Sequence, residues 1–191
     1  MQVSTLLLSN GYWRDVWLTR SYLTNTQKET IILKTLRWEH EYEDRNYDRH
    51  RRDAVSMEHL TSSPRVIDIY GYCGNSGLSE FAPGGDIELG LWGSDHTAPQ
   101  GWNITEVLIV AYQVAKAIAD MHNFDKEGVA SMAHTDITPS QFVNVDGIYK
   151  LNDFNRVRFI RWNKRTKEPC PFHVGNNPGN VSSTVPLLRV F

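Results

Sequence analysis

Two short β-rich runs, Phe142-Val143-Asn144-Val145 and Ile148-Tyr149-Lys150-Leu151, are separated only by Asp146-Gly147. Asp-Gly is a two-residue connection that accepts positive φ at both central positions, so this segment is predicted to be a tight β-hairpin. A hairpin returns its two ends to one place, and that constrains everything around it. The polar clusters on either side, His134-Thr135-Asp136 and Asn152-Asp153-Phe154-Asn155, are thereby brought together. Asp136 and Asp153 can then face one cleft, where one carboxylate orients a hydroxyl and the other offers hard oxygen ligands to a divalent cation. Such a pair suits phosphoryl transfer. Taken singly, each has a plainer structural reading: Asp136 caps a turn before Pro139, and Asp153 ends a strand.

The elements around the hairpin follow from periodicity. Val107, Val110, Val114, Ile118 and Met121 recur at three and four residues and predict a helix over 104–122 with one apolar stripe. Asn103, with Glu106 three residues later, forms a variant capping box at its start. Towards the N-terminus, Val16–Leu18 and Thr30–Leu33 are short β-rich runs separated by a polar, turn-like stretch from Thr24 to Lys28, which suggests neighbouring antiparallel strands. A charged stretch over 39–53 leads into Ala54, Met57 and Leu60 at helical spacing, and Ser62-Ser63-Pro64 stops that helix. Val66–Tyr72 reads as a further strand, with a break at Pro83-Gly84-Gly85.

Composition narrows the classes of function. The 191 residues carry 20 Lys+Arg against 22 Asp+Glu, a formal net charge of -2. That near balance excludes a whole-surface attraction to nucleic acid or anionic membrane and leaves only local patches. The longest apolar stretch, Val107–Tyr112, falls far short of the ~20 residues a membrane span needs. No Lys or Arg precedes Leu6-Leu7-Leu8, which argues against a secretory signal. Cys73 and Cys170 lack a CxxC partner and read as free thiols, the pattern of an intracellular, cytoplasmic chain.

Taken in order, the motifs resemble the protein kinase family. His134-Thr135-Asp136-Ile137-Thr138-Pro139-Ser140-Gln141 is similar to the catalytic loop H-R-D-L-x-x-x-N, and Asp153-Phe154-Asn155 to D-F-G. Ile31-Ile32-Leu33-Lys34 resembles V-A-I-K, and Ser79-Glu80-Phe81-Ala82-Pro83-Gly84-Gly85-Asp86 resembles the hinge between lobes. The resemblance implies an α+β, two-lobed protein kinase-like fold, with a small antiparallel-sheet N-lobe and an incomplete, mainly helical C-lobe. Residues 1–82 would form the N-lobe and hinge, and 83–180 the partial C-lobe.

The same resemblance implies ATP and Mg²⁺ as cofactors and a protein substrate. Asp136 would accept the substrate hydroxyl's hydrogen bond and proton, while Lys34 orients the phosphates and Asp153 and Gln141 hold the metal. Gly11, Val16, Glu80 and Ala82 would contact the nucleotide. The family pairs its Lys with a helical carboxylate, for which Asp53 and Glu58 compete here. They lie about 140° apart on a helix, and Met57 and Leu60 put Asp53 on the buried stripe, so Asp53 is the expected partner of Lys34.

Departures from the family bear on activity. Ser9-Asn10-Gly11-Tyr12-Trp13-Arg14-Asp15-Val16 can be laid on G-x-G-x-x-G-x-V, but only Gly11 and Val16 match, which predicts altered phosphate contact. Arg14 reads first as an exposed residue of a surface strand, and alternatively as a source of charge for the phosphates. Gln141 replaces an Asn metal ligand. Thr135 replaces the Arg that contacts a phosphorylated activation loop, Thr138 replaces a Lys, and Asn155 replaces the Gly of D-F-G. Gly175–Asn180 resembles the approach to A-P-E, which does not follow. Val181-Ser182 instead opens an atypical tail, 181–191, as a splice-donor signal read in frame would.

A C-lobe cut short leaves the stripe of the 104–122 helix partly uncovered and calls for a protein partner. It also keeps a pseudokinase, binding nucleotide without transfer, as an alternative. A second alternative is nucleic-acid binding by Arg156, Arg158, Arg161, Lys164, Arg165 and Lys167 with Phe159 and Trp162 interleaved, against which stands the plain reading of a solvated activation segment. A third is a metal site from His134, Asp136, Cys170 and His173, for which no second ligand pair exists.

Overall fold

The computed structural model describes residues 3–22, 28–93 and 101–170. The fold is α+β. Strands β1 (Val3–Asn10), β2 (Arg14–Tyr22), β3 (Lys28–Leu36), β4 (Ile69–Cys73) and β5 (Ser76–Glu80) form an antiparallel sheet in the order β1-β2-β3-β5-β4. The Val16–Leu18 and Thr30–Leu33 runs do pair antiparallel, within β2 and β3. Most of the turn-like stretch between them, 24–27, lies outside the described residues, as do His96, His173, the 175–180 segment and the 181–191 tail.

Strand alternation decides what the sheet faces inward. Ile32, Lys34 and Leu36 are all buried on β3, and on β2 Arg14 and Leu18 are buried on either side of half-buried Val16. A lysine and an arginine are therefore carried into the interior by the parity of their apolar neighbours.

Helix α1 (Asp44–His59) packs beside the sheet. It begins inside the charged 39–53 stretch, because that charge is arranged at helical spacing: Asp48 pairs with Arg51 and Arg52 at 2.9 Å. Its buried face carries His50, Asp53, Ala54 and Met57, whereas Glu58 is exposed.

After β5 come the short α2 (Ile87–Trp92) and α3 (Ile104–His122), which starts with the expected capping box at Asn103 and Glu106. Met121 and Ala117 of α3 are buried, with Val110, Val114 and Ile118 packed against the same core. The opposite side leaves Ile104, Leu108, Ile109 and Tyr112 exposed. No helix among the described residues is long and apolar enough to cross a membrane.

The hairpin is β7 (Phe142–Val145) and β8 (Ile148–Leu151), with Asp146 at φ 51° and Gly147 at φ 86°. It is fastened on three sides. Leu151 exchanges backbone bonds with Arg65 and Ile67 at 2.8 and 3.0 Å, Asn144 with Gly84 and Gly85 at 3.1 and 2.7 Å, and the Gln113 side chain of α3 grips Gly147 and Tyr149. Gly84 is required by that approach, since a Cβ there would lie 2.8 Å from the Asn144 Cβ. The same bonds explain why the strand expected over 66–72 begins only at Ile69: Val66 bridges Leu151 instead of joining the sheet.

Two-residue strands complete the described chain, β6 (Met132–Ala133) with β9 (Arg158–Phe159), and β10 (Trp162–Asn163) with β11 (Glu168–Pro169). Cys73 and Cys170 are both free thiols. Phe142, Leu151, Phe154 and Val157 share one buried cluster with Met57 of α1 and Met121 of α3, which fixes the hairpin and its exits relative to both helices.

Candidate functional site

A cleft of about 500 Å³ lies between the sheet and the hairpin, bordered by Gly11, Val16, Lys34, Asp136, Gln141 and Asp153 among others. It adjoins a second space of about 260 Å³ lined by Val16, Ile32, Glu80, Phe81, Ala82 and Val143. Val16, Lys34, Ser140 and Asn152 border both. Residues from Gly11 to Asp153 in sequence thus converge on one continuous depression, with Asp53 directly behind it.

The centre of the site is a buried charge cluster. The Arg14 guanidinium donates from one terminal nitrogen to Asp53 Oδ2 and from the other to Asp153 Oδ1. Arg14 is 8% exposed, so the reading of it as an exposed strand residue is corrected: the pleat that buries Leu18 also turns Arg14 inward. Burial disfavours its charge, but Asp153 and then Asp53 outweigh that and drive its pKa upward. Asp53 reaches the interior of the cleft wall, where Oδ1 accepts the Phe154 backbone N–H at 2.6 Å. Burial alone would raise its carboxyl pKa, yet Arg14 and Lys34 hold it down at about 2.

Lys34 makes a different bond from the one expected. Its Nζ donates to Asn152 Oδ1 at 2.8 Å, and among the described residues no carboxylate lies within ion-pair distance of it. Arg14 has taken the place beside Asp53. Two cations on adjacent strands compete for one carboxylate, and the planar guanidinium can bridge two carboxylates at once where an ammonium cannot match that geometry. Burial lowers the Lys34 pKa, with Asp53 opposing and Arg14 reinforcing the fall.

No protein-family model matches the sequence, and no curated protein does.

Asp153 stands in the left-handed region at φ 59° and also accepts from the Asn155 amide. Asp136 follows Thr135, a β-branched residue held at φ 62° by a 2.7 Å bond from its hydroxyl to the Arg156 carbonyl. Such a conformation persists only where surrounding contacts enforce it. Asp136 Oδ1 accepts from Arg156 Nη1 at 3.1 Å. His134 is buried, donates Nε2–H to the Asn152 carbonyl at 3.1 Å and stands edge-on to Phe154. Asn152 in turn donates its backbone N–H to the Gln141 carbonyl at 2.9 Å, tying the loop before the hairpin to the turn after it.

The Gly11–Trp13 turn is braced from outside. Arg37 donates to the Gly11 carbonyl at 3.0 Å, His40 to the Tyr12 carbonyl at 2.6 Å, and the Arg49 guanidinium lies 3.7 Å from the Trp13 ring centroid. The Gly11 N–H is used within the turn, on the Arg14 carbonyl. At the further space, the Glu80 carboxylate accepts from Lys150 Nζ at 2.8 Å through both oxygens.

Mg²⁺, brought in by the family resemblance, does not fit this donor set as folded. Oδ1 of Asp153 already accepts from Arg14 and Asn155, and Oδ1 of Asp136 from Arg156, so each carboxylate already has a cation beside it. Among the described residues no three His, Cys, Asp or Glu converge. That statement also covers His134, Asp136 and Cys170; the remaining member of that set, His173, is outside the described residues.

His50, which by its spacing reads as a surface or helix-end residue with no metal role, is instead buried on α1 behind the cleft. Burial and then Arg14 push its pKa down to about 4, against opposition from Asp53, the Asn75 backbone and Asp153. Because the unfolded chain binds this proton near 6.5, His50 contributes stability that is complete above that pH and is lost as pH falls towards 4. Stability measured by chemical denaturation is expected to decline between about pH 7 and about pH 5, and His50→Gln is expected to flatten that slope. An unchanged slope in the variant would assign the decline to other groups.

Proposed function

We propose that this chain is a protein kinase-like domain that binds ATP in the cleft and passes its terminal phosphate to a protein hydroxyl. In this reading the sheet with α1, over 1–82, corresponds to an N-lobe, and 83–180 to part of a C-lobe. The observation that carries it is the convergence of Lys34, Asp136 and Asp153 on one cleft that continues past Val16 to Glu80 and Ala82. The base would lie in the less polar space against Ile32, Ala82 and Val143, and the phosphates would point towards Lys34.

In the transfer, the substrate oxygen attacks the γ-phosphorus. The new O–P bond forms as the bond to the bridging oxygen breaks, ADP leaves, and the hydroxyl proton goes to Asp136. Lys34 and Arg14 supply positive charge beside the triphosphate. Arg14 and Arg156 already place positive charge against Asp153 and Asp136, the carboxylates that would hold a metal ion.

A second reading, a module that binds nucleotide without transfer, is favoured by that same engagement of Asp136 by Arg156. Thermal stabilisation by ATP and incorporation of labelled γ-phosphate into a generic protein acceptor separate the two. ATP is expected to raise the melting temperature of the wild type, and Lys34→Met to abolish the rise. Label lost in Asp136→Asn supports transfer, stabilisation without label supports the binding module, and the absence of any stabilisation contradicts both.

A further inference from the structure

We propose that Arg14 does inside the cleft what a divalent cation would do, so that the cleft takes a nucleoside triphosphate without a metal ion. This rests on the nucleotide reading above and adds to it the charge requirement of the ligand.

Arg14 and Lys34 supply two positive charges, and Asp53 and Asp153 two negative ones. Without Arg14 the cluster would carry a net negative charge, the condition that attracts a divalent cation and repels a bare triphosphate. With Arg14 in place the cluster is neutral before any ligand arrives. A metal ion at Asp153 would have to share that carboxylate with the Arg14 guanidinium on Oδ1, setting a divalent charge beside a buried cation.

A triphosphate meets no such obstacle. Arg14 has five N–H donors, and its bonds to Asp53 and Asp153 use one from each terminal nitrogen. Guanidinium geometry suits phosphate oxygens as well as carboxylates. Lys34 Nζ is held by a neutral amide, Asn152, and, among the described residues, by no carboxylate, so its charge remains available to an anion at the same cleft. The preceding turn cannot substitute for these groups through Gly11, whose N–H is bonded within the turn. Charge on Arg14 and Lys34 replaces both the glycine cradle and the metal.

The test is titration of the full chain with ATP by calorimetry, in EDTA and in magnesium. Wild-type affinity is expected to agree within about threefold between the two conditions. Arg14→Lys, which keeps the charge, is expected to preserve that agreement, whereas Arg14→Met is expected to make binding depend on magnesium by about tenfold or more. Should Arg14→Met fail to fold, the wild-type comparison and Arg14→Lys still decide. Binding by the wild type in magnesium that weakens about tenfold or more in EDTA would overturn this inference and leave the nucleotide reading standing. No binding in either condition would overturn both.

Discussion

Asp53→Ala is expected to lower unfolding stability by about 3–5 kcal/mol, the cost of breaking a buried ion pair from one side. The substitution leaves Arg14 with Asp153 as its one carboxylate partner among the described residues and strips the Phe154 N–H of its acceptor. Both losses fall in a region with little water to compensate, since Asp53 is 4% exposed. Against total stabilities of roughly 5–15 kcal/mol, the variant would be marginal at ambient temperature.

Asp53→Asn separates the two losses, because it keeps an acceptor for Phe154 and removes only the charge. The effect also has a pH signature. With the carboxyl pKa lowered from 3.8 to about 2, the stabilisation is complete above 3.8 and disappears as pH falls towards 2. Denaturant midpoints of wild type and variant should therefore differ most near neutrality and converge in acid. A constant difference down to about pH 2 would mean that the loss is one of packing, with no contribution from charge.

Phe154→Ala is expected to cost about 3–5 kcal/mol by the combined loss of transfer energy and the cavity left behind. Phe154 is fully buried, touches the His134 ring at a centroid distance of 5.0 Å, and belongs to the cluster that joins α1, α3 and the hairpin. Its backbone is also the point at which Asp53 grips the turn after the hairpin. A cavity here loosens the segment that aims Asp153, so the variant is expected to lose ATP affinity along with stability. Phe154→Leu fills most of the space and should recover the larger part of both. Stability lost with ATP affinity unchanged would detach the packing of Phe154 from the site.

What the sequence makes legible is what local pattern controls. The 104–122 helix and its capping box, the Asp146-Gly147 hairpin and the antiparallel pairing of β2 with β3 all depend on neighbours within a few residues. The inward position of Asp53 follows from its spacing to Met57. A Lys34–Asp53 pair would be a long-range contact, and it does not form because Arg14 takes the same carboxylate. A local signal for Arg14 does exist: it shares strand parity with Val16 and Leu18, and residues two apart on a strand face the same side. The usual exposure of arginine argued the other way. For the Asn152 partner of Lys34, and for Arg156 on Asp136, no local pattern exists, because those contacts join segments that meet only once the hairpin is docked.

The structure of a complex with a non-hydrolysable ATP analogue tests most directly whether Lys34 and the loops around the hairpin form one nucleotide cleft. The account predicts phosphate oxygens within hydrogen-bonding reach of Lys34 Nζ and the base packed beside Ala82. An analogue seated elsewhere, for instance in the groove along Leu108, Ile109 and Tyr112 of α3, would contradict it.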